Sequence, residues 1–206
     1  MSATASKKAH VLIVSLEDFP PFVEMYKPLL DELNTMATVE RATESESVIK
    51  GLAGQLPHAV LVSDAGISQH PAVYLKLLAY IHNGGTLVFM GNFSSMIRPD
   101  EFAELVQAAG LFWRFGDYHR TTVYLNNSKQ TSPHTSLPPS YSAKAVFLSG
   151  VSSKDKWYLQ RDYHQGQSPV ALTNIGKGKI GFVGDVNGEE GSDAVVLAMC
   201  NLGDGA

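Results

Sequence analysis

The 206 residues carry a formal net charge of −4 and a pI near 5.9, with 44% hydrophobic and 17% charged side chains. That apolar content supports a sizeable core and excludes a disordered chain, and the mild acidity offers no basic footprint for nucleic acid. One cysteine, Cys200, excludes an intramolecular disulfide framework, and no run reaches the roughly 18 apolar residues of a membrane span.

Residues 1–9 read as a frayed N-terminus of a cytoplasmic protein, because no apolar segment follows the two lysines. "HVLIVSL", 10–16, is a continuous apolar run of the kind a parallel strand covered on both faces requires. A helix is predicted over 20–36, with Phe22, Tyr26, Leu29, Leu30 and Leu33 at helical spacing and Pro28 kinking or dividing it. "ATVERA" reads as a strand, and the helix after it opens with Thr43 or Ser45 as a cap. The unit repeats at "HAVLVSDAGI", 58–67, where a second buried-type strand leads to a helix from Pro71 to the Gly84–Gly85 pair. It repeats again at "TLVFMG", 86–91, followed by a helix over 98–110 with Pro99 early and Gly110 as its stop. Four such units predict a parallel sheet with right-handed crossovers.

Beyond Gly110 the pattern changes to strand-like pieces, "RTTVYLN", "KAVFLSGV" and "KWYLQ", around a Pro- and Ser-rich loop at 127–142. "SPVALTNIGKGKIGFVGDV", 168–186, reads as a hairpin turning at Gly176–Lys177–Gly178, its second arm rejoining the main sheet. A phosphate loop is excluded there, since two strands flank the glycines and the G-x-x-x-x-G-K-[ST] spacing is missing. A last helix over 192–202 holds Cys200 among apolar residues, where a cysteine packs as a small buried side chain. No histidine pair has metal-ligand spacing, and no cofactor motif is present.

The element order, with "NGG", "TLVFMG" and "NFSS" followed by the Pro-rich insertion and "GKGKIGFVGDVNGEE", resembles the class I glutamine amidotransferase-like superfamily, above all its ThuA-like and other non-amidotransferase branches. The resemblance covers roughly residues 10–202. It implies a single α/β domain over 10–206: a flavodoxin-like three-layer sandwich with a mostly parallel central sheet, a β-rich C-terminal extension and an insertion at about 112–167. Active members carry a G-x-C-x-G elbow, whose sharp turn exposes a thiolate beside backbone N–H groups. Here Gly91-Asn92-Phe93-Ser94-Ser95 stands in that place, with Phe93 at the nucleophile position. The H-x-E pair of the amidotransferases is matched by Asp185-Val186-Asn187. Glutamine hydrolysis by a Cys-His-Glu triad is therefore not expected.

Ligands of open parallel sheets bind beyond the carboxyl ends of the strands. That rule selects Glu17, Asp64, Ser94 and Asp185 as catalytic candidates and Asp18, His70, Asn92, Phe93, Ser95 and Asn187 as ligand-binding candidates, with Glu189 and Glu190 close behind. Clustered carboxylates suit general acid/base work or a hard cation, or they simply cap helices; no metal site is assigned. Ser94 and Ser95 are either helix caps or, for Ser94, a nucleophile displaced by one residue. The aromatics Trp113, Tyr118, Tyr141, Trp157, Tyr158 and Tyr163, with His119, His134 and His164, form either a mini-core or a lid. Two functional readings stay open. One is a small-molecule enzyme that has abandoned the cysteine; the other is a non-catalytic regulatory or association module. The expected partners are a small molecule and, because superfamily members are commonly dimeric, a second copy of the chain.

Overall fold

The computed structural model describes residues 8–126, 137–161 and 166–202. Its first half alternates strand and helix: β1 (Ala9–Val14), α1 (Phe22–Met25), α2 (Lys27–Met36), β2 (Ala37–Ala42), α3 (Ser45–Ala53), β3 (Ala59–Val62), α4 (Pro71–His82), β4 (Thr86–Phe89), α5 (Phe93–Met96) and α6 (Pro99–Ala108). The second half is mostly strand: β5 (Arg114–Leu125), β6 (Ser140–Ser149), β7 (Lys156–Leu159), β8 (Val170–Ile175), β9 (Gly178–Val183) and then α7 (Glu190–Cys200).

All nine strands join one sheet in the order β2-β1-β3-β4-β9-β8-β7-β5-β6. The four pairings from β2 to β9 are parallel and the four from β9 to β6 are antiparallel. The sheet is thus evenly divided rather than mostly parallel, since the extension contributes as many pairings as the core. Leu12, Val14, Val60, Val62, Leu87, Phe89, Ile180 and Phe182 face Leu77, Phe102 and Val106 on one side of the parallel part. Val11, Ile13, Leu61 and Val88 face Leu29, Leu33, Val195 and Met199 on the other. Both faces of each parallel strand are buried, which is why these strands read as unbroken apolar runs. Each large side chain so buried contributes roughly 1.5–3 kcal/mol.

The boundaries differ from expectation in instructive ways. Ala9, read as part of the frayed terminus, already pairs with Ala37. The helix over 20–36 is divided at Tyr26, and Pro28 occupies the first turn of α2, where its missing N–H costs nothing. Neither Thr43 nor Ser45 caps α3; Glu44 is the cap position and makes no side-chain bond there. The hairpin holds as read, with Ile175 opposite Gly178 and Gly176 in the left-handed region at φ 58°.

The antiparallel half curls back onto the parallel half. Val146 N donates to Gly184 O at 2.9 Å, Val186 N to Lys144 O at 3.0 Å, and Leu148 and Ser168 exchange two bonds. β6 is thereby seated on the chain just past the carboxyl end of β9. Gly184 makes this approach possible, since a Cβ there would lie 2.0 Å from the Val146 carbonyl oxygen. Trp157 and Tyr158 are buried, with Tyr141 half-buried against the same core, and Trp113 packs into the opposite one, so these aromatics belong to the two main cores. His119 stacks on Phe147 at 4.7 Å and meets Gln160 Oε1 at 3.0 Å. Tyr118 is exposed. His134, Tyr163 and His164 lie outside the described residues. Cys200 is buried in α7, where burial pushes its thiol up to about 12.

Candidate functional site

The carboxyl ends of the parallel strands build two separate polar corners. At the first, β3 runs into a short 3-10 turn, Ala65–Gln69, capped by Asp64. The buried Asp64 carboxylate accepts from Gly66 N and Leu16 N at 3.1 Å each and from Glu17 N at 3.2 Å. It therefore fastens the loop after β1 to the end of β3. Burial raises the Asp64 carboxyl against these bonds, and burial followed by the nearby Asp64 charge raises Glu17, which stays exposed. Asp18, in the left-handed region at φ 47°, forms an ion pair with Arg41 at 2.8 Å. The same guanidinium donates to Ser15 Oγ at 2.9 Å and lies 5.1 Å from the Phe22 ring. His70 Nδ1 meets Ser45 Oγ at 2.8 Å, tying the start of α4 to the start of α3.

At the second corner the turn after β4 differs from the elbow of the resemblance. The left-handed residue is Gly91, at φ 64°, two positions before Phe93. Phe93 already opens α5, and its ring is 0% exposed, stacked 4.3 Å from Phe89 with Phe102 at 6.2 Å. Phe93 is therefore a core residue and touches no cleft. Ser94 is buried and donates to Gly184 O at 3.3 Å, while Ser95 Oγ donates to Asn92 O at 3.1 Å. Neither hydroxyl has a base beside it among these contacts. Asn92, 5% exposed, accepts from the Tyr26 hydroxyl at 3.4 Å, and its Nδ2 is buried with no partner among the described residues.

Asp185 completes this corner. It is 6% exposed and accepts from Asn187 N at 2.9 Å and Glu189 N at 2.7 Å in a tight loop. Burial, and then the neighbouring Glu189 carboxylate, push Asp185 up to about 7. Burial raises the Glu189 carboxyl, yet the adjoining Asp185 carboxyl and the Arg120 guanidinium at 2.8 Å hold it below the ordinary value. Lys144 N and Asn187 Nδ2 add further donors to Glu189 at 3.4 and 3.3 Å. Tyr26 is raised by burial and by Asp185, Asp193 and Glu189; Tyr141 is raised by burial and touches Ser192. Asp193 on α7 is pushed up to about 7 by burial and by Glu32 and Glu190. The corner thus places a carboxyl whose hold on its proton burial strengthens beside a carboxylate whose donors favour its charged form.

Of the sequence-predicted residues, Glu17 and Asp64 share the first corner, and Asn92, Asp185 and Asn187 share the second. No hydrogen bond joins the two corners among the described residues. Tyr26, Arg120 and Asp193 were not selected by the sequence, and Tyr141 only as an aromatic of a mini-core or lid. Asp193 leaves a signal, as an acid on the otherwise apolar buried run of α7; the others arrive through long-range packing. Among the described residues no group of three or more His, Cys, Asp or Glu side chains is placed to hold a metal ion, and no helix is long and apolar enough to cross a membrane.

No family model and no curated protein matches the chain. Solved structures do match. A ThuA-like protein from Bacteroides uniformis superposes with a TM-score of 0.62 at 13% identity, covering 98% of this chain and 93% of its own. A ThuA-like protein from Parabacteroides merdae gives 0.63 at 11% identity, over 96% and 90%. The fold is ThuA-like. The ThuA-like fold also occurs as part of a larger chain: a β-galactosidase from Bacillus circulans matches with a TM-score of 0.61 at 13% identity over 95% of this chain, which spans 31% of that enzyme. At these identities the likeness concerns the fold alone.

Proposed function

We propose that this ThuA-like chain binds or acts on a small polar molecule at the corner between the carboxyl ends of β4 and β9, and that it is not a glutaminase. The core is read as flavodoxin-like, because β2-β1-β3-β4-β9 follows the 2-1-3-4-5 order of that arrangement. One domain and a cytoplasmic setting belong to the same reading, the latter resting on the lone buried cysteine. The observation that carries the site is the geometry of the Asp185–Glu189 pair: Asp185 is 6% exposed and accepts from Glu189 N at 2.7 Å, the Glu189 carboxylate is paired to Arg120 at 2.8 Å, and burial raises the Asp185 carboxyl while the donors around Glu189 lower its own. Separated protonation of two adjacent acids is the pattern of general acid/base sites. Tyr26 and the unpaired Asn92 amide supply orienting hydrogen bonds.

A thermal-shift screen of metabolites on the wild type, repeated on Asp185→Asn, Glu189→Gln and Asn92→Ala, tests the reading. A ligand that stabilises the wild type and none of the variants supports it, as does ammonia release from glutamine at background level. Equal stabilisation of all four proteins removes the site, and glutamine turnover above background removes the whole reading. A second reading, a non-catalytic association module, is favoured by the occurrence of this fold inside a β-galactosidase chain. It calls for a dimer or a larger partner, and light scattering giving a 22.3 kDa particle at tens of micromolar counts against self-association.

A further inference from the structure

At the edge of the sheet opposite this corner, the segment Gly176-Lys177-Gly178-Lys179 turns from β8 into β9 beside a cavity of about 420 Å³. That volume falls within the roughly 300–1,000 Å³ of small-molecule sites. Gly178 brings the hairpin against the end of α4, since a Cβ there would meet the Gly85 carbonyl oxygen at 2.1 Å. Lys177 and Lys179 line the cavity with His58, Tyr80 and Thr86, and no aspartate or glutamate does. Neither lysine has an ion-pair partner among the described residues. In a chain of net charge −4 this is a concentration of positive charge with no compensating charge among the described residues that line the cavity. A second cavity at the same edge, about 390 Å³, differs in this respect, because Glu40 lines it and pairs with His10 at 3.2 Å.

The carbonyls at the end of α4 would repel an anion if they were free, but they are occupied. Asn83 N, Gly84 N and Gly85 N donate to Ala79, Ile81 and Tyr80, and Lys177 N donates to His82 O. We propose that this cavity binds a small phosphorylated ligand, its phosphate held by Lys177 and Lys179. Two lysines match the dianion as point charges, whereas no arginine lines the cavity to supply the fork that selects a planar carboxylate. The hairpin is no phosphate loop, so side chains rather than a ring of backbone N–H groups would carry the recognition.

Calorimetric titration of the full chain with inorganic phosphate, at ionic strength held constant with sodium chloride and with acetate as a parallel arm, tests this. The expected result is saturable binding of phosphate and none of acetate. Lys177→Met and Lys179→Met should each weaken phosphate about thirtyfold, the ratio for one lysine charge against a dianion near 4 Å in water; the double variant should lose saturation, and Lys179→Arg should keep it. Both lysines are exposed, and circular dichroism checks that the variants fold. Acetate binding as well as phosphate, a response that follows ionic strength alone, or unchanged phosphate binding in the double variant would overturn the proposal.

Discussion

At the carboxyl edge of the sheet, Asp64 and Asp185 turn inward onto backbone N–H groups, and Asp193 is buried beside Glu32 and Glu190. At the amino edge, Lys177 and Lys179 face a cavity with no opposing charge among the described residues that line it. The first set of charges is part of how the loops are held, so altering it disturbs both folding and any chemistry located there. The second set forms no ion pair among the described residues, so altering it should affect mainly what binds. Chemistry and stability are entangled at one edge and separable at the other.

The largest expected effect comes from breaking the seam that closes the carboxyl edge. Gly184→Ala drives a Cβ into the Val146 carbonyl, backbone against backbone, and should cost about 3 kcal/mol, the upper end for overpacking, in urea denaturation. A cost below half that would mean β6 is not seated as described. Next, Asp64→Ala leaves three backbone N–H groups without their acceptor and should cost about 2 kcal/mol. A neutral result would detach the first corner from folding.

A smaller effect should appear as pH dependence. Asp193 holds its proton to about 7 in the folded chain against 3.8 as its ordinary value, so the folded state binds more protons between those limits. Its contribution to stability is then complete below about pH 4 and lost as pH rises through 7. Asp185, Asp64 and Glu17 act in the same direction and Glu189 in the opposite one. Urea midpoints should fall between pH 5 and pH 8, and Asp193→Asn should flatten the fall; an unchanged profile in that variant speaks against the assignment. The smallest effect is expected at the amino edge, where Lys177→Met and Lys179→Met should each stay within about 0.5 kcal/mol of the wild type. A larger loss would show that those lysines are structural after all.

The parallel half was legible because two-sided burial writes itself as continuous apolar runs, each followed by a helix bounded by Pro and Gly. β5 was caught only at its end. Residues 114–119 alternate exposed and half-buried side chains, and Gly116 and Asp117 sit where the register with β6 shifts, so the segment reads as loop. Glu17, Asp64 and Asp185 of the candidate site were legible by position, since each follows a parallel strand. Phe93 was misplaced because aligning G-N-F-S-S with a motif says nothing of where the backbone turns, and the left-handed residue proved to be Gly91. Tyr26 and Asp193 were missed because they reach the corner from α1–α2 and α7, and no local pattern encodes that meeting.

The seam between β6 and the chain beyond β9 also bears on aggregation. Over residues 144–148 the outer side of β6 bonds to residues 168 and 184–186, so that stretch of the last strand offers no ladder of free backbone groups. The opposite border is β2, only six residues long, with Glu40 and Arg41 set into it and the Glu40 carboxylate 3.2 Å from His10 Nε2 on the neighbouring strand. Short length and embedded charge are how natural sheets discourage edge-to-edge growth. A foreign strand seeking to extend this sheet meets a border already bonded at one side and a brief, charged one at the other.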